Sequence, residues 1–323
     1  MKTFLKAILL FSITSTFQSC SNDEEVVVQN TSEMSFTQVT TSGALPLGLR
    51  GHQMVQFNNK LWIIGGTNDA NTVTNTILNS TDGTTWNAVT TTGATLPARS
   101  YHKCIVYNSK LWIIGGYDGS GRSDIFSSTD GINWEEETTN AAFGNRYAFD
   151  AIVFNSKLWL IGGVSGNNTN FHNDVWSSID GINWTEEEDL TSFEKRGHHK
   201  AFVLNNKMWI CGGNGNGNTY SDVQSSTDGI NWSQQAVSGF EAVYGHQLVV
   251  NNNTIYVLGG RNASSYNNLV KKSIDGINWS VVSTANPFSA SCYHQATLFD
   301  ENIFVHGGSD GSSLNISTMW KSN

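Results

Sequence analysis

The sequence predicts an all-β chain, a six-bladed β-propeller of four-stranded antiparallel blades, and three observations carry that reading. An aromatic-rich segment ending in Gly-Gly occurs six times: LWIIGG (61–66), LWIIGG (111–116), LWLIGG (158–163), MWICGG (208–213), IYVLGG (255–260) and IFVHGG (303–308). Their first glycines are 50, 47, 50, 47 and 48 residues apart, and a period of roughly 50 residues built from short strands marks one blade per repeat. A second motif, Ser-x-Asp-Gly-x-x-Trp, accompanies five of the six copies, at 80–86, 128–134, 178–184, 226–232 and 273–279. Lastly, the 288 residues from Phe36 to Asn323 make six units of 48, which leaves room for one closed domain and no second.

At the N-terminus, Lys2 and Lys6 form a basic start. AILLFSITSTF (7–17) follows, apolar but too short to span a bilayer comfortably. With FQSC at 17–20, residues 1–19 resemble a bacterial lipoprotein signal peptide whose Cys20 becomes the lipidated first residue. A plain secretory signal cleaved nearby is the other reading. The acidic SNDEE after Cys20 is similar to the tag that sends some Gram-negative lipoproteins to the cell surface. An outer-membrane lipoprotein, exposed at the surface, is therefore expected, with residues 20–35 as lipidated Cys and polar tether.

The second repeat serves as the template for a blade. HKCIVY (102–107) alternates as strand a, NSK (108–110) turns, and LWIIGG (111–116) is the buried strand b. The polar loop YDGSGRSD (117–124) leads to strand c, IFSS (125–128). Asp130-Gly131 then turns the chain into strand d, opened by Ile132-Asn133-Trp134. Asp-Gly predicts a type I′ hairpin here, with both central residues at positive φ. The Ser and Asp side chains can bond nearby amides, and the Trp packs the outer strand down. The sixth copy of this hairpin is missing, because the chain stops at STMWKSN (317–323). SFTQVTTSGALPLGLRGH (35–52) aligns with TWNAVTTTGATLPARSYH (85–102) and places Phe36 opposite Trp86. Residues near 36–41 are thus expected to supply strand d of the last blade and close the ring, so that 36–323 is the propeller.

These repeats resemble the kelch family: a strand ending in Gly-Gly, an Arg–His region before strand a, and a Trp in strand d. The resemblance spans residues 36–323 and implies the fold, while propellers of this kind host unrelated activities. The Ser-x-Asp-Gly hairpin is similar to the Asp-box of sialidases but one residue shorter between Asp and Trp. Asp-boxes are structural, so no sialidase activity is implied.

Composition excludes some partners. The chain carries 18 Lys and Arg against 27 Asp and Glu, a net charge of −9, and no basic run. Nucleic acid is not an expected partner. Apart from Cys20, the cysteines Cys104, Cys211 and Cys292 fall in repeats 2, 4 and 6 and imply no disulfide framework. A monomer without cofactor is expected, its one membrane contact the lipid anchor.

One repeat position stands out. Thirteen residues before each first glycine lie His52, His102, Phe149, His199, His246 and His294. Two or three residues earlier come Arg50, Arg99, Arg146 and Arg196, four of the chain's six arginines; Val243 and Ser291 replace them in blades 5 and 6. Tyr101, Tyr147, Tyr244 and Tyr293 flank the ring. Two readings stay open. The Arg and His side chains bond carbonyls between blades, or they form a ring of donors at the channel mouth suited to a carboxylate or sulfate. A metal would need several of these histidines within about 2.1 Å of one point, and side chains on separate blades do not converge so closely. No copper constellation like that of galactose oxidase maps onto the chain. Glu194, Glu241, Asp118 and Asp150 are the carboxylates in or near the mouth loops. Resemblance to the six-bladed kelch enzymes that interconvert sialic acid anomers singles out Asp118 and Arg122 as a carboxylate–Arg pair, with Asp where those enzymes carry Glu. The first expectation is a non-catalytic, surface-anchored propeller that recognises a glycan or a protein through its mouth; the alternative is a sugar mutarotase or epimerase.

Overall fold

A computed structural model describes residues 34–45, 47–282, 284–285 and 287–323. Cys20, the expected signal peptide 1–19 and the tether up to residue 33 lie outside the described residues. Among the described residues no helix is long and apolar enough to cross a membrane.

Six sheets follow one another along the chain, each ordered a-b-c-d by antiparallel pairing. Blade 1 comprises Gln53–Phe57, Lys60–Ile64, Ile77–Ser80 and Thr85–Ala88. Blade 2 runs from Lys103–Tyr107 to Asn133–Thr138, and blade 3 from Asp150–Phe154 to Thr185–Glu188. Blade 4 runs from Lys200–Leu204 to Ser233–Gln234, and blade 5 from Gln247–Asn251 to Ser280–Val282. Blade 6 takes Gln295–Phe299, Asn302–His306 and Met319–Ser322 from the C-terminus. Its outer strand is Met34–Val39, antiparallel to Met319–Ser322 with Phe36 opposite Ser322. First and last residues of the repeat array therefore share one sheet.

Three blades carry a fifth strand that the repeat pattern does not announce. Ser42–Gly43, Thr92–Gly93 and Thr284–Ala285 each lie parallel to the outer strand of the following blade. Each belongs to the segment leaving the previous blade. Laying it along the neighbour's outer strand covers an edge that would otherwise present unpaired amides.

The tight turns differ from expectation. In the c–d hairpins the glycine alone has positive φ, for example 78° at Gly131, and no Asp of the motif does. The Asp side chain replaces the second left-handed residue: Asp130 Oδ1 accepts the Ile132 and Asn133 amides at 2.7 and 2.8 Å, while Ser128 Oγ accepts the Gly131 amide. The paired left-handed residues sit instead in the a–b turns, at Asn58-Asn59, Asn108-Ser109, Asn155-Ser156, Asn205-Asn206, Asn252-Asn253 and Asp300-Glu301. These are the type I′ geometry that splices tightly twisted strands.

Both repeated motifs meet at the joint between blades. A Cβ on Gly131 would fall 2.5 Å from the strand-b indole of Trp62 in the preceding blade. Gly181 meets Trp112, Gly229 meets Trp159 and Gly276 meets Trp209 in the same way. Gly83 of blade 1 meets Phe304 of blade 6, so the ring closes through the contact that joins every other pair. Strand-d aromatics Phe36, Trp86 and Trp134 are each 1 % exposed within these interblade cores. The three cysteines of the propeller are free and buried, as small apolar side chains of the strands.

Candidate functional site: the channel mouth

The His position and the Gly-Gly motif form one structural unit. The second glycine of each blade lies against the ring residue of its own blade: Cβ atoms on Gly66, Gly116 and Gly213 would meet the Cβ atoms of His52, His102 and His199 at 2.7–2.8 Å. The first glycine lies against the ring residue of the next blade, as Gly65 does against His102 and Gly307 against His52. Any side chain on either glycine would displace an imidazole. Phe149 takes the same slot against Gly115 and Gly163, so the joint asks for a flat ring rather than for a base.

Burial keeps these imidazoles neutral. It pushes His102, His199 and His246 down to about 3, and His294 and His306 to about 4. His52 is lowered too, first by burial and then by His306, whose Nδ1 lies 3.2 Å from His52 Nε2. Among the described residues no group of His, Cys, Asp and Glu is placed to hold a metal.

One residue before each ring position, the backbone closes a circle. The amides of Gly51, Tyr101, Ala148, His198, Gly245 and Tyr293 each donate to the carbonyl of the same position in the preceding blade, at 2.7–3.1 Å, and Gly51 donates to Tyr293. All six residues have φ between 51° and 61°. The side chains on this circle alternate small and large around the ring. The three large rings, Tyr101, His198 and Tyr293, come from blades 2, 4 and 6 and meet across the channel with centroids 5.3, 5.4 and 4.9 Å apart. Gly51 and Gly245 make room, since a Cβ there would lie 2.8 and 2.9 Å from Tyr101 and Tyr293. The channel is thus plugged by aromatic rings at its mouth.

Beneath the plug is a cavity of about 50 Å³, lined in part by Gln53, Lys200, Gln247 and Gln295. These residues open strand a of their blades, a position that links blade to blade. Gln53 accepts the Cys104 amide, Lys103 pairs with Asp150 at 2.5 Å, Asp150 accepts the Ala201 amide, and Gln247 donates to the His294 carbonyl. Burial raises the Asp150 carboxyl, but Lys103, then Lys200 and the Ala201 amide, hold it at about 2. The Lys200 ammonium makes no hydrogen bond or ion pair among the described residues, and burial lowers it.

The plug's upper side faces a bowl of about 390 Å³, walled by Tyr117, Tyr147, Phe171 and Tyr244, with the Asn168 and Asn214 amides at its edge. Tyr147 is anchored through its hydroxyl to Asn168 Oδ1 at 2.8 Å. Two half-buried arginines stand near Cys292 of blade 6. Arg50 donates to Asn315 and Asn71, and Arg261 stacks on Tyr266 at 4.9 Å. Among the described residues neither pairs with a carboxylate, unlike the other four arginines.

A family model described as the KLHDC2/KLHL20/DRC7 Kelch-repeats domain matches residues 6–186 and 125–308. The chain belongs to the kelch-repeat family. No curated protein matches it.

Within this kelch propeller the expected arginines divide into two groups. Arg99, Arg146 and Arg196 are 2 %, 4 % and 0 % exposed. Each grips a carboxylate with two nitrogens, Asp124, Asp174 and Asp222, at 2.7–3.0 Å, and donates to the first-glycine carbonyl of its own blade. Their guanidinium groups are occupied by the framework. Arg50 is out of register with them. The position that accepts the second-glycine amide of the preceding blade is Arg99, Arg146, Arg196, Val243, Ser291 and, in blade 1, Leu49. Arg50 comes one residue later and reaches the mouth. His52, His102, His199, His246 and His294 are at most 2 % exposed. Asp118 and Arg122 do meet, but Arg122 also clasps Asp124, which is already held by Arg99. That carboxylate–Arg pair is thus one edge of a four-residue charge cluster in blade 2, formed by Asp118 of the b–c turn, Arg122 and Asp124 of the strand Gly121–Ser128, and Arg99 from the segment before strand a. Arg261 and His198 carry no sequence signal of the kind that picked out the others: each occurs once at its repeat position.

Proposed function

We propose that this kelch propeller is a non-catalytic binding module, held at the outer membrane by lipid on Cys20, that takes a glycan in the aromatic bowl above the plug. The observation that carries the reading is the aromatic bowl itself, behind whose Tyr101 and Tyr244 hydroxyls stand Arg50 and Arg261, two arginines free of carboxylate partners among the described residues. Its volume falls in the range of small-molecule sites, roughly 300–1,000 Å³. Phenol rings offer an apolar face and a polar tip, which suits the two-sided character of a sugar ring. Asn168 and Asn214 supply donors and acceptors for hydroxyl groups. Arg50 and Arg261 favour sugars that carry a carboxylate or sulfate.

A thermal-shift screen of the whole chain against neutral and anionic sugars, N-acetylneuraminate included, tests the proposal. A ligand at 100 times its dissociation constant stabilises by about 2.7 kcal/mol, enough to raise the melting temperature visibly. A shift with acidic sugars supports the mouth as the site. Absence of a shift with every sugar removes the glycan reading and points to a protein ligand.

A further inference from the structure

Blade 5 lacks what blades 2, 3 and 4 share. In those three, a guanidinium fills a slot bounded by the first-glycine carbonyl and the carboxylate four residues before the hairpin Ser: Arg99 with Gly115 and Asp124, Arg146 with Gly162 and Asp174, Arg196 with Gly212 and Asp222. An aromatic ring lies under each, Phe126, Phe143 and Phe193 at 5.2–5.9 Å. The corresponding residues of blade 5 are Val243, Gly259 and Leu269, with Phe240 at the place of Phe143 and Phe193. Both members of the ion pair are apolar here, and Val243 is far shorter in reach than an arginine, while Leu269 matches an aspartate in length. The slot is a cavity of about 150 Å³, lined by Phe240, Val243, Val257, Gly259, Asn267 and Leu269 among others. Phe240, Val243 and Val257 form a buried floor, 4–8 % exposed, while Leu269 is 43 % exposed at the edge. Lys271 on the rim offers no free charge, since it donates to the Gly239 carbonyl at 2.7 Å and pairs with Glu241 at 3.2 Å.

We propose that this slot is a second binding site, which takes one small apolar group, a benzene-sized ring or a branched alkyl chain, in the space that a guanidinium fills in blades 2, 3 and 4. The volume fits. A cavity of about 150 Å³ has room for a benzene ring, and here an apolar floor is rimmed by the polar side chains of Glu241, Asn262, Ser265, Asn267 and Lys271. Replacing the Arg–Asp pair by Val and Leu removes the charges that would reject an apolar guest and leaves a buried floor that gains by being covered. The site is independent of the mouth bowl, since the two share no lining residue.

Saturation-transfer NMR on the whole chain tests it, with benzene as one probe and N-acetyl-leucinamide as another. The wild type should transfer saturation to benzene. Transfer to the leucine derivative as well assigns the site to a peptide side chain, and transfer to benzene alone assigns it to a free hydrocarbon ring. Val243→Arg combined with Leu269→Asp rebuilds the ion pair of blades 2–4 and should reduce the signal at least tenfold. Val243→Phe fills the slot without charge and should do the same, which keeps the test intact if the double variant fails to fold. No transfer from the wild type, or equal transfer from a folded filled variant, overturns the proposal.

Discussion

Single residues at the mouth have separable duties, and substitution should separate them. Arg99 is buried, bidentate to Asp124 and bonded to Gly115. Arg99→Ala leaves that carboxylate to Arg122, so the loss should stay below that of an uncompensated buried charge and come to about 1.5–3 kcal/mol, the scale of hydrogen bonds to a charged group. Arg261→Ala removes a half-buried side chain without an ion pair and should cost within about 0.5 kcal/mol. Urea melts of the two variants check this; similar losses in both would contradict the division into frame and mouth. The sequence pattern alone could not assign the arginines, because the carboxylate partner lies some 25 residues further on. The signal was nonetheless there: blades with Arg at the position carry Asp four residues before the hairpin Ser, and the blade with Val243 carries Leu269.

The histidines make the residue scale depend on pH. Burial lowers all eight, six of them to between about 3 and 4. In the unfolded chain they titrate near 6.5, so below that pH the unfolded state binds protons that the native state refuses. Stability should therefore be full above about pH 6.5 and fall as the pH drops towards 4. Each histidine adds up to about 1.4 kcal/mol per pH unit to the slope. His102→Phe copies Phe149, should fold, and should make the fall shallower by one proton. Urea midpoints between pH 7 and 5 decide the matter, and an unchanged slope would mean that His102 charges freely in the native state.

At the scale of elements, the strands and their order were legible from the Gly-Gly period, because each glycine pair answers a steric demand that recurs in every blade. The turn type was not. Asp-Gly reads as a type I′ turn by its backbone preferences, yet here the Asp side chain accepts the amides that a second left-handed residue would have oriented. The a–b turns carry the left-handed pairs, and there a residue other than glycine is strained, by about 1–2 kcal/mol for most side chains. Ser109, at φ 59°, should accordingly gain from Ser109→Gly by about 0.5–1 kcal/mol. A melting temperature that falls instead would show that this turn is not held as described. The parallel fifth strands were also hidden, since two residues of Ser-Gly or Thr-Gly have no strand pattern of their own.

For the whole molecule, closure is the decisive feature. Phe36 is 1 % exposed, its ring 5.3 Å from Phe288, and its strand completes blade 6. A chain that begins at Ser42 would lack that strand and expose the edge of Met319–Ser322. It should melt at a lower temperature and associate through the open edge. Size-exclusion chromatography of the truncated chain would show this, and a monomer as stable as the full chain would contradict closure by the N-terminal strand. The same closure concentrates variability at the mouth. Inside the ring each blade must present the same joint, so differences among repeats collect where no joint is made: Arg50, Arg261, the bowl tyrosines and the plug. For that reason the fold could be read from repetition, whereas the candidate site lies in residues that do not repeat.

Whether the mouth is the ligand site can be tested most directly by titrating one acidic sugar that stabilises the wild type into Tyr117→Ala and Arg261→Ala, followed by calorimetry. The bowl and its arginines being the site, both variants should fold as the wild type does and lose affinity at least tenfold. Undiminished affinity in both folded variants would contradict a site at the mouth and place the ligand elsewhere on the propeller.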